Sequence, residues 1–167
     1  MRYILTFVFM VSFCLPGQAQ IERLQALFMY KFIQNFEWPA DKNSEAYNIG
    51  VLGDDAIKEE LSKLVQGRSV KGKAITVADY TPGSATDTYC MIFLGDKKKY
   101  ALESINQRSI DSSTLVITES PGLAKKGSAV NFITLGGNLK FEINPDTFSS
   151  AKVKASGSIK SLAIIVN

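Results

Sequence analysis

The sequence predicts a single α/β domain: a mixed, mostly parallel sheet flanked by helices, with a C-terminal antiparallel hairpin. Three observations carry that prediction. A unit of apolar run, Leu-Gly-Asp and helical pattern occurs twice, first as Tyr47 to Leu52, Gly53-Asp54 and Ala56 to Val65, then as Cys90 to Leu94, Gly95-Asp96 and Lys97 to Gln107. The apolar runs are continuous rather than alternating, as in parallel strands buried on both faces. After Gly127 the pattern switches to alternation on either side of Gly136-Gly137, the signal of a tight two-residue hairpin.

At the N-terminus, Arg2 precedes an almost unbroken apolar run from Tyr3 to Leu15 that ends at Pro16 and Gly17. This is the pattern of an export signal. The run is about a dozen residues, short of the roughly 20 that a membrane span needs. Gly17-Gln18-Ala19 supplies small residues where a signal peptidase reads, so cleavage is expected after Ala19, dividing a leader, 1–19, from a domain, 20–167, that is not inserted in the membrane. An uncleaved anchor and a lipoprotein signal at Cys14 are the alternatives, the second opposed by bulky Phe13 in a position that should be small.

The first domain segment, Ile21 to Phe36, repeats apolar residues at helical spacing, with Leu24, Leu27, Phe28, Phe32 and Phe36 read as one stripe. Pro39 stops the helix and biases Trp38 toward an extended backbone, and Trp38 itself reads as packed core. Between the two Leu-Gly-Asp units lies a strand, Ala74 to Ala78; a further strand, Thr114 to Thr118, ends in the turn Glu119-Ser120-Pro121-Gly122. The hairpin pairs Ala129 to Leu135 with Asn138 to Ile143. Asn144-Pro145-Asp146 opens a short helical turn, and Ser158 to Val166 fits a docking helix better than a last strand.

Composition narrows the chemistry. The chain has 19 Lys and Arg against 16 Asp and Glu and no histidine, which removes the commonest general base near neutral pH and the commonest metal ligand. Losing Arg2 and Cys14 with the leader would leave the domain nearly neutral and with Cys90 alone, so neither a thiolate zinc site nor an intrachain disulfide is available. Cys90 sits in an apolar run and reads as a buried thiol. No face of Lys and Arg interleaved with aromatics suggests nucleic acid; Lys97-Lys98-Lys99 reads as a solvated helix start. Asp54-Asp55 and Glu59-Glu60 lie in one short helix, where Asp54 suits an N-cap. That cap also opposes a bound phosphate, and Gly50-Val51-Leu52-Gly53 is not a dinucleotide fingerprint. No cofactor is expected.

Two other loci remain. Gly67-Arg68-Ser69-Val70-Lys71-Gly72-Lys73 joins a helix to a strand with three cations, and Arg68 has the planar fork that grips a carboxylate. With the aromatic helix exit, it gives Phe36, Trp38, Arg68, Lys71 and Lys73 as candidate residues for a partner or an aromatic or anionic ligand. A hydrolase would instead need carboxylates from separate elements, for which Glu119 and Glu142 at neighbouring strand ends are the pair to test.

In order along the chain, these segments resemble YfiR-like proteins. The resemblance rests on Lys31 to Pro39 with Asn35, Phe36, Trp38 and Pro39; on Val51-Leu52-Gly53-Asp54; on the loop 67–73; on Cys90-Met91-Ile92-Phe93, followed by Asp96; on Gly127 before Val130-Asn131-Phe132; and on Lys140-Phe141-Glu142-Ile143-Asn144. In that pattern Asn35, Pro39, Gly53, Asp54, Asp96, Phe141 and Asn144 are structural. The resemblance implies a periplasmic α/β protein without enzymatic activity, usually homodimeric, acting as a negative regulator. Such proteins bind the periplasmic region of an inner-membrane diguanylate cyclase and restrain its cyclic-di-GMP output, which ties them to biofilm and envelope-stress signalling; an OmpA-type outer-membrane lipoprotein can sequester them. The sequence departs from the pattern in having one domain cysteine, where characterised members have more than one disulfide, and in its C-terminal segment 153–163. A cyclase, a sensor kinase or another envelope receptor all remain open as its partner, with a small-ligand receptor as the alternative function.

Overall fold

In the computed structural model, which describes residues 17–40, 42 and 45–166, helix α1 (Gln18–Asn35) runs straight into strand β1 (Phe36–Glu37). The expected leader falls outside the described residues except for 17–19, where α1 begins. Strand β2 (Ala46–Leu52) leads through the Asp54 cap into α2 (Asp55–Val65), followed by the short β3 (Ser69–Val70) and by β4 (Lys73–Asp79). The second unit is β5 (Met91–Leu94), a 3₁₀ turn over Asp96–Ala101 and α3 (Leu102–Ser112). Next come β6 (Leu115–Thr118), the hairpin β7 (Val130–Leu135) and β8 (Asn138–Ile143), α4 (Pro145–Ser150), β9 (Lys154–Ala155), α5 (Gly157–Leu162) and β10 (Ile164–Ile165).

Eight of these strands form one mixed sheet in the order β10-β8-β7-β6-β5-β2-β4-β3. From β7 through β4 the neighbours are all parallel, while the β7–β8 and β3–β4 pairs are antiparallel. The hairpin turn is Gly136-Gly137, with φ of 58° and 76°, the left-handed pair that a tight primed turn requires. The C-terminal segment differs from the expected docking helix. It divides into α5 and β10, because the Ser156 hydroxyl caps α5 at Ile159 and the following residues find a ladder beside β8, pairing Ile164 with Glu142 in parallel.

The central strands β5 and β6 are buried at every residue because both faces of the sheet are covered. Met91, Phe93, Leu115 and Ile117 point toward α1 and α2, whereas Ile92, Leu94 and Val116 meet Leu102 and Ile105 of α3. The repeated Leu-Gly-Asp turns lie side by side at the ends of β2 and β5, where the Gly95 amide donates to Leu52 O at 2.9 Å. A Cβ on Gly95 would come within 2.8 Å of the Gly53 carbonyl oxygen, so only glycine fits there. Asp54 acts as the expected cap, its Oδ1 accepting from Ile57 N at 3.0 Å.

The buried face of α1 differs from the stripe read in the sequence. Its buried positions are Gln25, Ala26, Met29, Phe32 and Ile33, followed by Phe36 at the helix exit, and Leu24 and Leu27 remain 37% and 42% exposed. Leu27 and Met29 are two residues apart, about 200° around a helix, so they cannot share a face. The inward face carries an aromatic ladder: Phe32 stacks on Phe36 with ring centroids 5.0 Å apart, Phe141 meets Phe32 edge-on at 5.2 Å, and Phe148 stands at 90° to Phe36 at 5.0 Å.

Asn35 and Asn144 then hold the ends. The Asn35 carbonyl accepts from Ser156 N at 3.0 Å, and β1 pairs with β9 through Phe36 and Ala155. Asn144 Oδ1 accepts from Asp146 N and Thr147 N while its Nδ2 donates to Ala124 O at 2.8 Å. Phe32→Ala is expected to lower the unfolding free energy by about 3–5 kcal/mol through the cavity it leaves. Asp54→Ala, which removes only a cap, is expected to cost about 1 kcal/mol. Urea denaturation of both variants checks the ranking, and a larger loss in Asp54→Ala would contradict it.

Candidate partner-binding groove

The outward leucines of α1 open onto a groove of about 640 Å³ between α1 and α2, lined by Arg23, Leu24, Leu27, Glu60, Lys63, Leu64 and Arg68 among others. The floor is aliphatic and the rim is charged. Lys63 is held by Glu59 at 2.7 Å and Glu60 at 3.4 Å. Both contacts raise the Lys63 pKa, the hydrogen bond to Glu59 most of all. Arg23 and Arg68 form no ion pair with any described residue. Arg68 instead lays its guanidinium over the Tyr30 ring, 5.6 Å from the centroid.

The five candidate residues separate in the fold. Arg68 reaches the groove from the end of α2. Lys71 is exposed at the β3–β4 turn with φ of 51°. Lys73, on β4, places its Nζ 6.0 Å from the Tyr47 ring, which in turn sits 5.9 Å from Trp38. Trp38 is partly buried against the core, and its Nε1 meets no acceptor among the described residues. Phe36 is fully buried between Phe32, Trp38 and Phe148, so its ring presents no surface to a partner or ligand. Arg23 and the two exposed leucines escaped the sequence reading because Leu24 and Leu27 satisfy helical spacing on either face; the adjacent Arg23 was the available signal.

A second depression of about 610 Å³ lies at the C-terminal ends of β2, β5 and β6, lined by Glu22, Asp54, Asp55, Asp96, Lys98 and Glu119 among others. In an open parallel sheet this is where the strand order reverses and where ligands commonly sit. Asp54, Asp55, Asp96 and Glu119 are already engaged. Glu119 accepts from Gln25 Nε2 and from the Asp96 amide, each at 3.0 Å. Asp96 takes a hydrogen bond from Ser120 and an ion pair from Lys99, which together hold it below the usual carboxylate range. Burial pushes the Glu119 carboxyl above its ordinary value of 4.5 despite those two donors. No group of three potential ligands for a metal ion occurs among the described residues.

Glu142, the other carboxylate singled out, closes a relay running across β6, β7 and β8. Thr118 Oγ1 donates to Asn131 Oδ1 at 2.7 Å, and Asn131 Nδ2 donates to Glu142 Oε2 at 2.8 Å, with Thr118 and Asn131 fully buried. Cys90 is fully buried as well, its Sγ 3.2 Å from Asn48 O, and burial pushes the thiol up to about 12. Such a thiol is inert near neutral pH.

A family model described as YfiR/HmsC-like matches residues 22–164, from α1 to the start of β10. The chain belongs to the YfiR/HmsC-like family. Among solved structures, a conserved domain protein from Vibrio cholerae O1 biovar El Tor is similar to this YfiR/HmsC-like chain, with a TM-score of 0.56 at 12% identity. The match covers 88% of this chain and 60% of that one, and at such identity the likeness concerns the fold alone. No curated protein matches this chain.

Two outcomes follow from this geometry. Because burial favours protonated Glu119, the folded chain keeps a proton that the unfolded chain has released, and stability falls as pH rises upward from about 4.5. Glu119→Gln retains an acceptor for the Asp96 amide, so it should flatten that part of the stability profile; an unchanged slope in pH-dependent urea melts would contradict it. Trp38→Ala should cost about 3 kcal/mol if its ring serves the core, and an unchanged denaturation midpoint would place it outside.

Proposed function

We propose that this protein is a periplasmic regulator that binds and restrains an inner-membrane signalling protein, a diguanylate cyclase or a sensor kinase. The observation that carries the proposal is the family match, which spans nearly the whole described fold and belongs to a regulatory rather than catalytic family. The leader pattern of residues 1–19 supports export. No helix among the described residues is long and apolar enough to cross a membrane. The groove between α1 and α2 offers a surface of the right kind, aliphatic at its floor with two arginines at its rim that form no ion pair with any described residue.

Several finer features rest on the family pattern: a homodimeric state, a link to cyclic-di-GMP, biofilm or envelope-stress output, and sequestration by an OmpA-type outer-membrane lipoprotein. Cys90 is the single cysteine among the described residues and is buried, so those residues offer no disulfide of their own to such regulation.

A second reading is a small-ligand receptor. The groove volume falls within the ~300–1,000 Å³ usual for such sites, and Arg68 supplies an anion-binding fork. The two readings separate cleanly. Affinity purification of the tagged protein from detergent-solubilised native envelopes should recover an integral signalling protein, and gene deletion should raise that protein's output. Recovery of soluble material alone would overturn the regulatory reading. Stabilisation by a few kcal/mol in a thermal-shift metabolite screen would favour the receptor.

A further inference from the structure

We propose that the α1–α2 groove docks an acidic amphipathic helix from the membrane-anchored partner; this rests on the partner-binding reading above. Leu24 and Leu27 lie one turn apart on α1 and face Leu64 of α2 across the groove, giving the aliphatic floor that the apolar stripe of a third helix requires. From Gln20 to Leu27 the helix rises about 10 Å, the length of two turns of a docked segment.

Charge selects the occupant. The lining residues carry Arg23, Lys63 and Arg68 against Glu60 alone. Lys63 is neutralised by its two glutamates, leaving the two guanidinium groups to be matched from outside. A guanidinium takes a carboxylate in two parallel hydrogen bonds, and Arg68 is already oriented by the Tyr30 ring. The fitting segment therefore places apolar residues at i, i+3 and i+4 with Asp or Glu on both flanks. A second copy of this chain fits poorly, because the same patch on both subunits would double Arg23 and Arg68 in one interface while the lining supplies Glu60 as its only acid. An anionic membrane also fits poorly. Surface binding draws on clusters of roughly four to eight basic residues, whereas this groove is lined by three, one of them held by Glu59 and Glu60.

The test uses the full chain in its native envelope, with p-benzoylphenylalanine installed in turn at Leu24, at Leu27 and, as a control on another surface, at exposed Lys125. After irradiation the crosslinked peptide is sequenced by mass spectrometry. The expected product, from positions 24 and 27 but not 125, is a peptide of an integral membrane protein with carboxylates flanking helically spaced apolar residues. Arg23→Glu combined with Arg68→Glu should lower its yield about tenfold. Arg23→Lys with Arg68→Lys should retain most of it, and unchanged circular dichroism and melting establish that both variants fold. Crosslinks to a second copy, to phospholipid or to a peptide without carboxylates overturn the proposal, as does the absence of any product. If a membrane protein crosslinks only at Lys125, the groove is refuted while the regulatory reading stands. If no membrane protein is recovered by crosslinking or by affinity purification, the regulatory reading falls too.

Discussion

The aromatic ladder between α1 and the C-terminal half of the chain sets the position of nearly everything else. Phe28, Phe32 and Phe36 recur every four residues on one side of α1 and interlock with Phe132, Phe141 and Phe148. Rings of this size bury large apolar areas and prefer tilted or offset contacts over a range of a few ångström, so they specify both the depth and the rotation of the helix. The backbone then closes what the rings began. At the end of the ladder, β1 pairs with β9, tying the exit of α1 to a segment more than a hundred residues later.

Fixing the rotation of α1 determines which residues it leaves outside. With Met29, Phe32 and Ile33 turned inward, Leu24 and Leu27 must face away from the sheet, and α2 packs alongside rather than over them. The groove is thus a by-product of how the core is satisfied, yet it combines in one place an apolar floor and two arginines without an ion pair among the described residues. That combination sets it apart from the depression at the strand ends. There, the carboxylates of Asp54, Asp96 and Glu119 are consumed by caps, an ion pair and the Gln25 amide, so their chemistry is spent in holding α1, α2 and the second Leu-Gly-Asp turn together.

Much of this was legible in the chain because it depends on local rules. Continuous apolar runs announced strands covered on both faces, Asp54 and Asn144 announced helix starts, and Gly136-Gly137 announced the hairpin. The two-residue strands β1, β3, β9 and β10 were not legible, since so short a segment has no period and exists only where a neighbour supplies a ladder. Nor was the division of the C-terminal segment into α5 and β10, which is set by the open edge of β8.

The sequence by itself determined the class of fold, the order of its longer elements, the likeness to YfiR-like proteins and the poverty of groups for acid-base or metal chemistry, because composition, spacing and turn chemistry act within a few residues. Only the tertiary structure decided that Phe36 is interior, that Lys73 turns to Tyr47 while Arg68 turns to Tyr30, and that Leu24, Leu27, Leu64 and the two arginines line one groove. Helical spacing says that residues share a face. Which face meets the core is settled by packing against residues far away in the chain.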